Sequence, residues 1–136
     1  MADDPSSKLI VHGRGLDPPA GLEVRNYLDP GVPRSAGKPR ALPVTEVIVH
    51  ETVTRSAADA MRVLARRGLA VHLIVDEHGR VQQHGDLAAD ALPHAARHNR
   101  ASIGIEVVNP YDPVHLHPGL PWTEVIHTAW APRGYV

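Results

Sequence analysis

The sequence of 136 residues contains no cysteine. This excludes a disulfide framework and any metal site built on thiolates, and it leaves the redox compartment open. The formal net charge is only -1. Such a balance argues against nucleic acid or an anionic membrane as the main partner, because both select basic protein faces. No apolar run approaches the roughly 18 residues of a membrane-spanning helix, so we expect no membrane span.

The N-terminal residues are not expected to form an export signal. The first residues, MADDPSSKLIVHGRG, are acidic and have neither a basic n-region nor an apolar h-region. We therefore expect a protein made in the cytoplasm without secretion by a signal peptide.

Proline and glycine divide the chain into regular and irregular parts. Most of the 13 prolines lie outside residues 44–92, so both ends should be rich in loops. Residues 1–43 are interpreted as an irregular N-terminal arm with one short extended piece near Leu22 to Leu28. Residues 44–136 are interpreted as the folded domain. The tail is again rich in proline, and a helix is suggested there around Thr123 to Trp130.

The first regular segment predicts a strand followed by a helix. Val44 to His50 (VTEVIVH) is β-branched and is typical of a central strand. Ser56 is a good helix N-cap, with Asp59 three residues later, and apolar residues then recur at helical spacing. Gly68 is expected to end this helix.

A hairpin and a further strand follow. Val71 to Asp76 (VHLIVD) and Arg80 to His84 flank the sequence DEHGR, which predicts a tight turn with Gly79 at positive φ. Residues 85–102 are expected to be a long loop with a short helical turn near Leu87 to Ala91. Ile103 to Val108 (IGIEVV) is a third apolar strand. The order predicts an α/β domain in which helices flank a central mixed β-sheet.

Two polar residues stand in apolar strands, where an unpaired polar group is costly. Glu106 alternates with Ile105 and Val107, so it faces either solvent or a cleft in which it could act as a general base. His50 ends the strand VIVH, and it is either a satisfied polar residue or a metal ligand.

Other histidines offer weaker patterns. His94 and His98 are four residues apart and would share one face of a helix, which Pro93 and Asn99 would keep short. The HLH sequence of His115 and His117 could place two imidazoles on one side of a strand, or it is part of a solvated loop.

Three segments in order resemble the zinc-dependent N-acetylmuramoyl-L-alanine amidases, a family that includes phage amidase lysozymes and peptidoglycan recognition proteins. These segments are VIVHET, VHLIVDEHGRVQQ and PHAARHNRASIGIE, and the resemblance covers about residues 44–109. It implies an amidase-like fold that binds Zn²⁺ and acts on peptidoglycan or a muropeptide.

The resemblance also implies roles for individual residues. His50 matches the first zinc ligand, and Glu106 matches the glutamate that serves as general base in one branch of the family. His94, Asn99 and Ser102 match residues along the substrate groove. His72 matches a histidine whose role is mainly structural.

The chain departs from the family pattern in several places. The second and third zinc ligands are not identified, because no acid or histidine after Glu106 has the family's spacing; the residues there are Asp112, His115, His117, Glu124 and His127. The sequence stops before the last helix and strand of the family, so the domain is expected to be incomplete at its C-terminus. In place of HAG the chain has His94, Ala95 and Ala96. The position of a catalytic tyrosine in another branch of the family is Val71.

Three functions are consistent with this sequence. The first is a zinc hydrolase that cleaves the amide between N-acetylmuramic acid and L-alanine. The second is a non-catalytic module that binds peptidoglycan. The third is a wall-contacting component of a larger, phage-like particle. In the first and third cases the protein would reach the wall after lysis or by delivery with the particle.

Overall fold

The computed structural model describes residues 3–109 of the chain. The strands are β1 (Leu9–Val11), β2 (Arg14–Leu16), β3 (Val24–Asn26), β4 (Lys38–Pro39), β5 (Glu46–Thr52), β6 (Leu73–Val75), β7 (Val81–Gln83), β8 (Asp90–Ala91) and β9 (Ser102–Val108). The helices are α1 (Ala57–Arg66) and two 3-10 helices, Pro5–Ser7 and Ala96–Arg100. The suggested helix near Thr123 lies outside the described residues. No helix within residues 3–109 is long and apolar enough to cross a membrane.

The central element is a five-stranded mixed sheet with the strand order β3-β7-β6-β9-β5. β5 and β6 lie on either side of β9 and run parallel to it. β7 is antiparallel to β6, and β3 is parallel to β7. The prediction of an α/β fold with a central mixed sheet is therefore confirmed.

Helix α1 connects β5 to β6 and packs on one face of the sheet. Its N-cap is Ser56, whose hydroxyl accepts a hydrogen bond from the backbone N–H of Asp59, as the sequence predicts. Past its C-terminus, Gly68 adopts a φ of +65°, a conformation that glycine accommodates without strain. The core beneath the helix consists of Ala57, Ala60, Leu64, Val71, Ile74 and Val108.

The predicted hairpin is present as β6 and β7, and Gly79 in its turn has a φ of +79°. The position of β5 differs from the expectation of a central strand, since β5 is at the edge of the sheet within the described residues. Val47 and Val49 are exposed there, on the face opposite α1. β-branched residues favour an extended backbone at an edge as well as at the centre, so composition alone did not distinguish the two positions.

The N-terminal arm is more regular than its composition suggests. β3 lies inside the expected extended piece and joins the central sheet through β7. The hairpin of β1 and β2 is held by the side chain of Gln83, which accepts a hydrogen bond from the N–H of Ile10 and donates one to its carbonyl. These pairings are with residues more than fifty positions away, which leaves no local periodicity to recognise. Of the strands in residues 3–43, β3 belongs to the central sheet, whereas β1 and β2 form a separate two-stranded sheet and β4 pairs only with β8.

The long loop before β9 also differs from the expectation in one detail. Residues 87–89 form a turn, but Asp90–Ala91 is a short strand, β8, that pairs with β4. The helical turn lies further along, at Ala96–Arg100, directly before β9. His94, the residue that contacts His50, lies in the loop just before this turn.

Candidate functional site

His50 and Glu106 are neighbours on adjacent parallel strands. The register of β5 and β9 places the two residues opposite each other, and Glu106 is also opposite Ile74 of β6. Residues opposite one another in a sheet project from the same face. Ile74 packs against α1, so His50 and Glu106 project from the α1 side of the sheet.

Glu106 is a buried carboxyl group without a hydrogen-bond partner among the described residues. Its relative exposure is 6%, and no side-chain hydrogen bond to it forms within residues 3–109. Burial raises the pKa of Glu106, and nearby His50 and Arg67 offset part of that effect. A carboxyl group in this setting has an increased affinity for a proton, which is the property that a general base and acid requires.

His94 lies against both strands from the preceding loop. Its Nδ1 is 3.2 Å from Nε2 of His50, and the two rings meet edge to face with centroids 5.5 Å apart. The ring also covers Gly104, where an added Cβ would lie 2.6 Å from Cγ of His94. Burial, followed by the neighbouring His72 and His50, lowers the pKa of His94 to about 4. His94 is therefore neutral at pH 7.

Ser102 and Asn99 hold the His94 loop in place. The Ser102 hydroxyl is completely buried, lies 3.0 Å from Nε2 of His94 and donates to the carbonyl of His98 at 2.6 Å. Oδ1 of Asn99 accepts hydrogen bonds from the backbone N–H groups of His94 and Ala95, at 2.9 and 2.6 Å. Contact of His94, Asn99 and Ser102 with a substrate stays a prediction.

His72 is buried beside the site and is saturated with hydrogen bonds. Its Nδ1 accepts from the N–H of Gly104 at 3.0 Å, which makes Nε2 the protonated nitrogen that donates to the carbonyl of Asp90 at 2.8 Å. Burial lowers the pKa of His72, and this neutral form is the one that both bonds require. Its contacts are those of a residue that supports the sheet and the loop.

Arg40 and Gly104 are site residues that the sequence reasoning missed. One guanidinium nitrogen of Arg40 donates to the carbonyls of Asp90 and Ser102, at 2.6 and 3.0 Å, and so ties the N-terminal arm to the sheet below His72. Nothing in the proline-rich sequence around Arg40 signals this contact. Gly104 did carry a signal, because an isolated glycine inside a strand often marks a close approach of another group.

The described residues supply only part of a metal site. Within residues 3–109 there is no group of three or more histidine or acidic side chains arranged to hold a metal ion. His50 fits such a site, since its only hydrogen bond in this part of the chain engages Nε2 and leaves Nδ1 available. The other candidate ligands lie outside the described residues; they are Asp112, His115, His117, Glu124 and His127.

His94 and His98 do not share one face of a helix, as their spacing of four residues would allow. Nδ1 of His98 lies 2.7 Å from a carboxylate oxygen of Glu46 at the surface, while His94 contacts His50. The 3-10 helix Ala96–Arg100 contains His98 but not His94, and the two rings have separate partners.

Comparison with known proteins identifies the family. The family model of N-acetylmuramoyl-L-alanine amidases matches residues 40–132, and the chain belongs to this family. No curated protein matches the chain.

Similar solved structures are peptidoglycan recognition proteins. Protein SA of the bumblebee aligns with a TM-score of 0.51 and 17% identity, over 65% of this chain and 61% of that one. Protein LE, in complex with the monomeric diaminopimelic acid-type peptidoglycan tracheal cytotoxin, aligns with a TM-score of 0.46 and 22% identity, over 62% and 58%. The likeness to the bumblebee protein supports the fold, and this chain spans about three fifths of that protein's length.

Proposed function

We propose that this chain is a peptidoglycan hydrolase, or the part of one, that cleaves the amide bond between N-acetylmuramic acid and L-alanine. The observation that carries the proposal is the position of His50 opposite a buried Glu106, on one face of the sheet, where Glu106 has no hydrogen-bond partner within residues 3–109. Membership in the amidase family supplies the substrate class.

His50 would contribute one ligand to a zinc ion, and its remaining ligands would come from outside residues 3–109. A catalytic zinc ion supplies Lewis acidity, which polarises the scissile carbonyl and acidifies water. His50 fits because its Nδ1 has no other partner in the described part of the chain.

Glu106 would handle the proton of the reaction. Its carboxylate takes a proton from the attacking water and delivers it to the leaving nitrogen as the C–N bond breaks. The products are the lactyl carboxylate of muramic acid and the free α-amine of L-alanine. The raised pKa of Glu106 supports the second half of this role, because the carboxyl group must hold the proton until the amine leaves.

The loop that carries His94 and Asn99 would form a wall of the substrate groove beside this pair. Asn99 fixes the backbone of that wall. The buried Ser102 would hold this wall in position through its contact with Nε2 of His94. The protein would meet peptidoglycan after cell lysis, or as part of a delivered particle.

The test is the release of stem peptide from a purified muropeptide, followed by mass spectrometry in the presence of zinc. We expect cleavage by the wild-type chain and strongly reduced cleavage by His50→Ala. Binding of the muropeptide without turnover would overturn the proposal and would favour the second candidate, a non-catalytic peptidoglycan-binding module. Co-purification in a stable large assembly would instead support the particle component.

A further inference from the structure

A directed chain of hydrogen bonds runs from His50 into the protein. Its direction is set at its far end, because the carbonyl of His98 can only accept the 2.6 Å hydrogen bond from the Ser102 hydroxyl. A hydroxyl has one proton, so Ser102 must act as the acceptor in its 3.0 Å contact with Nε2 of His94. Nε2 of His94 therefore carries a hydrogen.

The same argument applies to the two nitrogens of the His94 ring. A neutral imidazole protonated at Nε2 has a lone pair at Nδ1, which lies 3.2 Å from Nε2 of His50. The lone pair must accept, so the hydrogen in this contact belongs to Nε2 of His50. A neutral His50 with hydrogen on Nε2 has its own lone pair on Nδ1.

Burial protects this series of hydrogen bonds from rearrangement by water. Ser102 is completely buried and His94 is only 7% exposed. Hydrogen bonds in such surroundings are not readily exchanged for bonds to solvent, and leaving one unmade is costly. Gly104 contributes as well, since the absence of a side chain allows the His94 ring to lie directly on β9.

We propose that Ser102 and His94 are positioning residues that select the tautomer of His50, so that Nδ1 is the nitrogen presented to a divalent metal ion. Metal-binding histidines commonly donate their second N–H to an oriented acceptor, which fixes the ring and increases its basicity. Here the acceptor is another histidine, and its accepting nitrogen is determined by Ser102, which is two contacts away from His50. The use of the metal rests on the proposed function, but the tautomer is a property of the metal-free chain.

The first test reads the tautomers directly. In the metal-free chain with ¹⁵N-labelled histidine at pH 7, long-range ¹H–¹⁵N spectra should show His50 and His94 protonated at Nε2. In Ser102→Ala, both residues should shift toward a mixture of tautomers. His98→Ala should match the wild type, because it removes an exposed side chain of the same loop and keeps the backbone carbonyl that accepts the hydrogen bond from Ser102. A wild-type His50 protonated at Nδ1, with Nε2 bare, would overturn the proposal.

The second test measures zinc binding by competition with a chelating dye. Ser102→Ala should weaken zinc binding by about 10- to 100-fold, the usual effect of losing an outer partner of a ligand. Ser102→Thr, which keeps the hydroxyl, should restore the binding and the tautomers, and His98→Ala should leave both unchanged. Equal zinc affinity in the wild type and a folded Ser102→Ala would overturn the proposal. Expected tautomers without any amide cleavage would refute the proposed hydrolase while leaving this inference intact.

Discussion

His50 of β5 lies directly opposite Glu106 of β9, and both side chains project from the face of the sheet on which α1 packs. The parallel register brings together an imidazole and a carboxyl group that are separated by more than fifty residues of sequence. Each group alone has an ordinary structural explanation. Their pairing, with Glu106 buried and unpartnered in the described part of the chain, makes this position the centre of the proposed active site.

Replacing Glu106 by Gln should reduce amide cleavage by a factor on the order of 10² to 10⁴, because the side chain can no longer accept the proton of water. Muropeptide cleavage assayed at saturating substrate measures this effect. Glu46→Gln is the matched control, since Glu46 lies on β5 and pairs with His98 at the surface. Equal rates for Glu106→Gln and wild type would remove Glu106 from the mechanism.

Replacing Gly104 by Ala should destabilise the fold. The new Cβ would lie 2.6 to 2.8 Å from three atoms of the His94 ring, so the ring must move away from β9. We expect a loss of about 1–3 kcal/mol in the free energy of unfolding, measured by urea denaturation. Gly31→Ala is the control, because the nearest atom to its added Cβ is a carboxylate oxygen of Asp29, at 3.2 Å. Similar losses in both variants would contradict the close packing of His94 on Gly104.

Replacing Ala96 by Gly should stabilise the protein. Ala96 occupies the third position of HAA, where the family has glycine, and its φ is +48°. A side chain in this left-handed region costs about 1 kcal/mol or more, which glycine avoids. We expect thermal denaturation to show a gain of up to about 1 kcal/mol, reduced by the greater freedom of glycine in the unfolded chain. Ala95→Gly, at a φ of -148° in the same loop, should instead be destabilising.

Stability should fall as the pH drops below about 6.5, in part because of His84. This side chain is completely buried, its Nδ1–H donates to the carbonyl of Pro33, and burial lowers its pKa below the usual value for histidine. The unfolded chain therefore binds a proton at a higher pH than the folded one. The stabilisation is complete above pH 6.5 and is lost as the pH falls toward the pKa in the folded state, with a slope of at most about 1.4 kcal/mol per pH unit.

Denaturation midpoints between pH 7 and pH 5 measure this dependence. His84→Gln should flatten the pH profile, although the buried His72 will retain part of it for the same reason. His78→Gln should reproduce the wild-type profile, because His78 is exposed in the hairpin turn. An unchanged slope in a folded His84→Gln variant would show that His84 does not contribute.

Much of the fold was accessible from sequence because its signals are local. The apolar runs of β5 and β9, the cap at Ser56, the glycine at residue 68 and the turn at Gly79 each depend on neighbours within a few residues. The family resemblance, which depends on motifs in order, also directed attention to His50 and Glu106. The roles of these two residues in catalysis and metal binding stay predictions.

The sequence by itself determined the mixed α/β sheet, its crossover helix and the presence of polar residues in apolar strands, because periodicity and capping depend on short segments. His50 was expected at the end of its strand, but β5 continues to Thr52. Only the tertiary structure decided that β3 joins the sheet, that Arg40 and His72 donate to the same carbonyl of Asp90, and that His94 lies on Gly104 and contacts His50. These contacts join residues far apart in the chain. Strand register and the burial of polar groups select them, and neither property has a local pattern in the sequence.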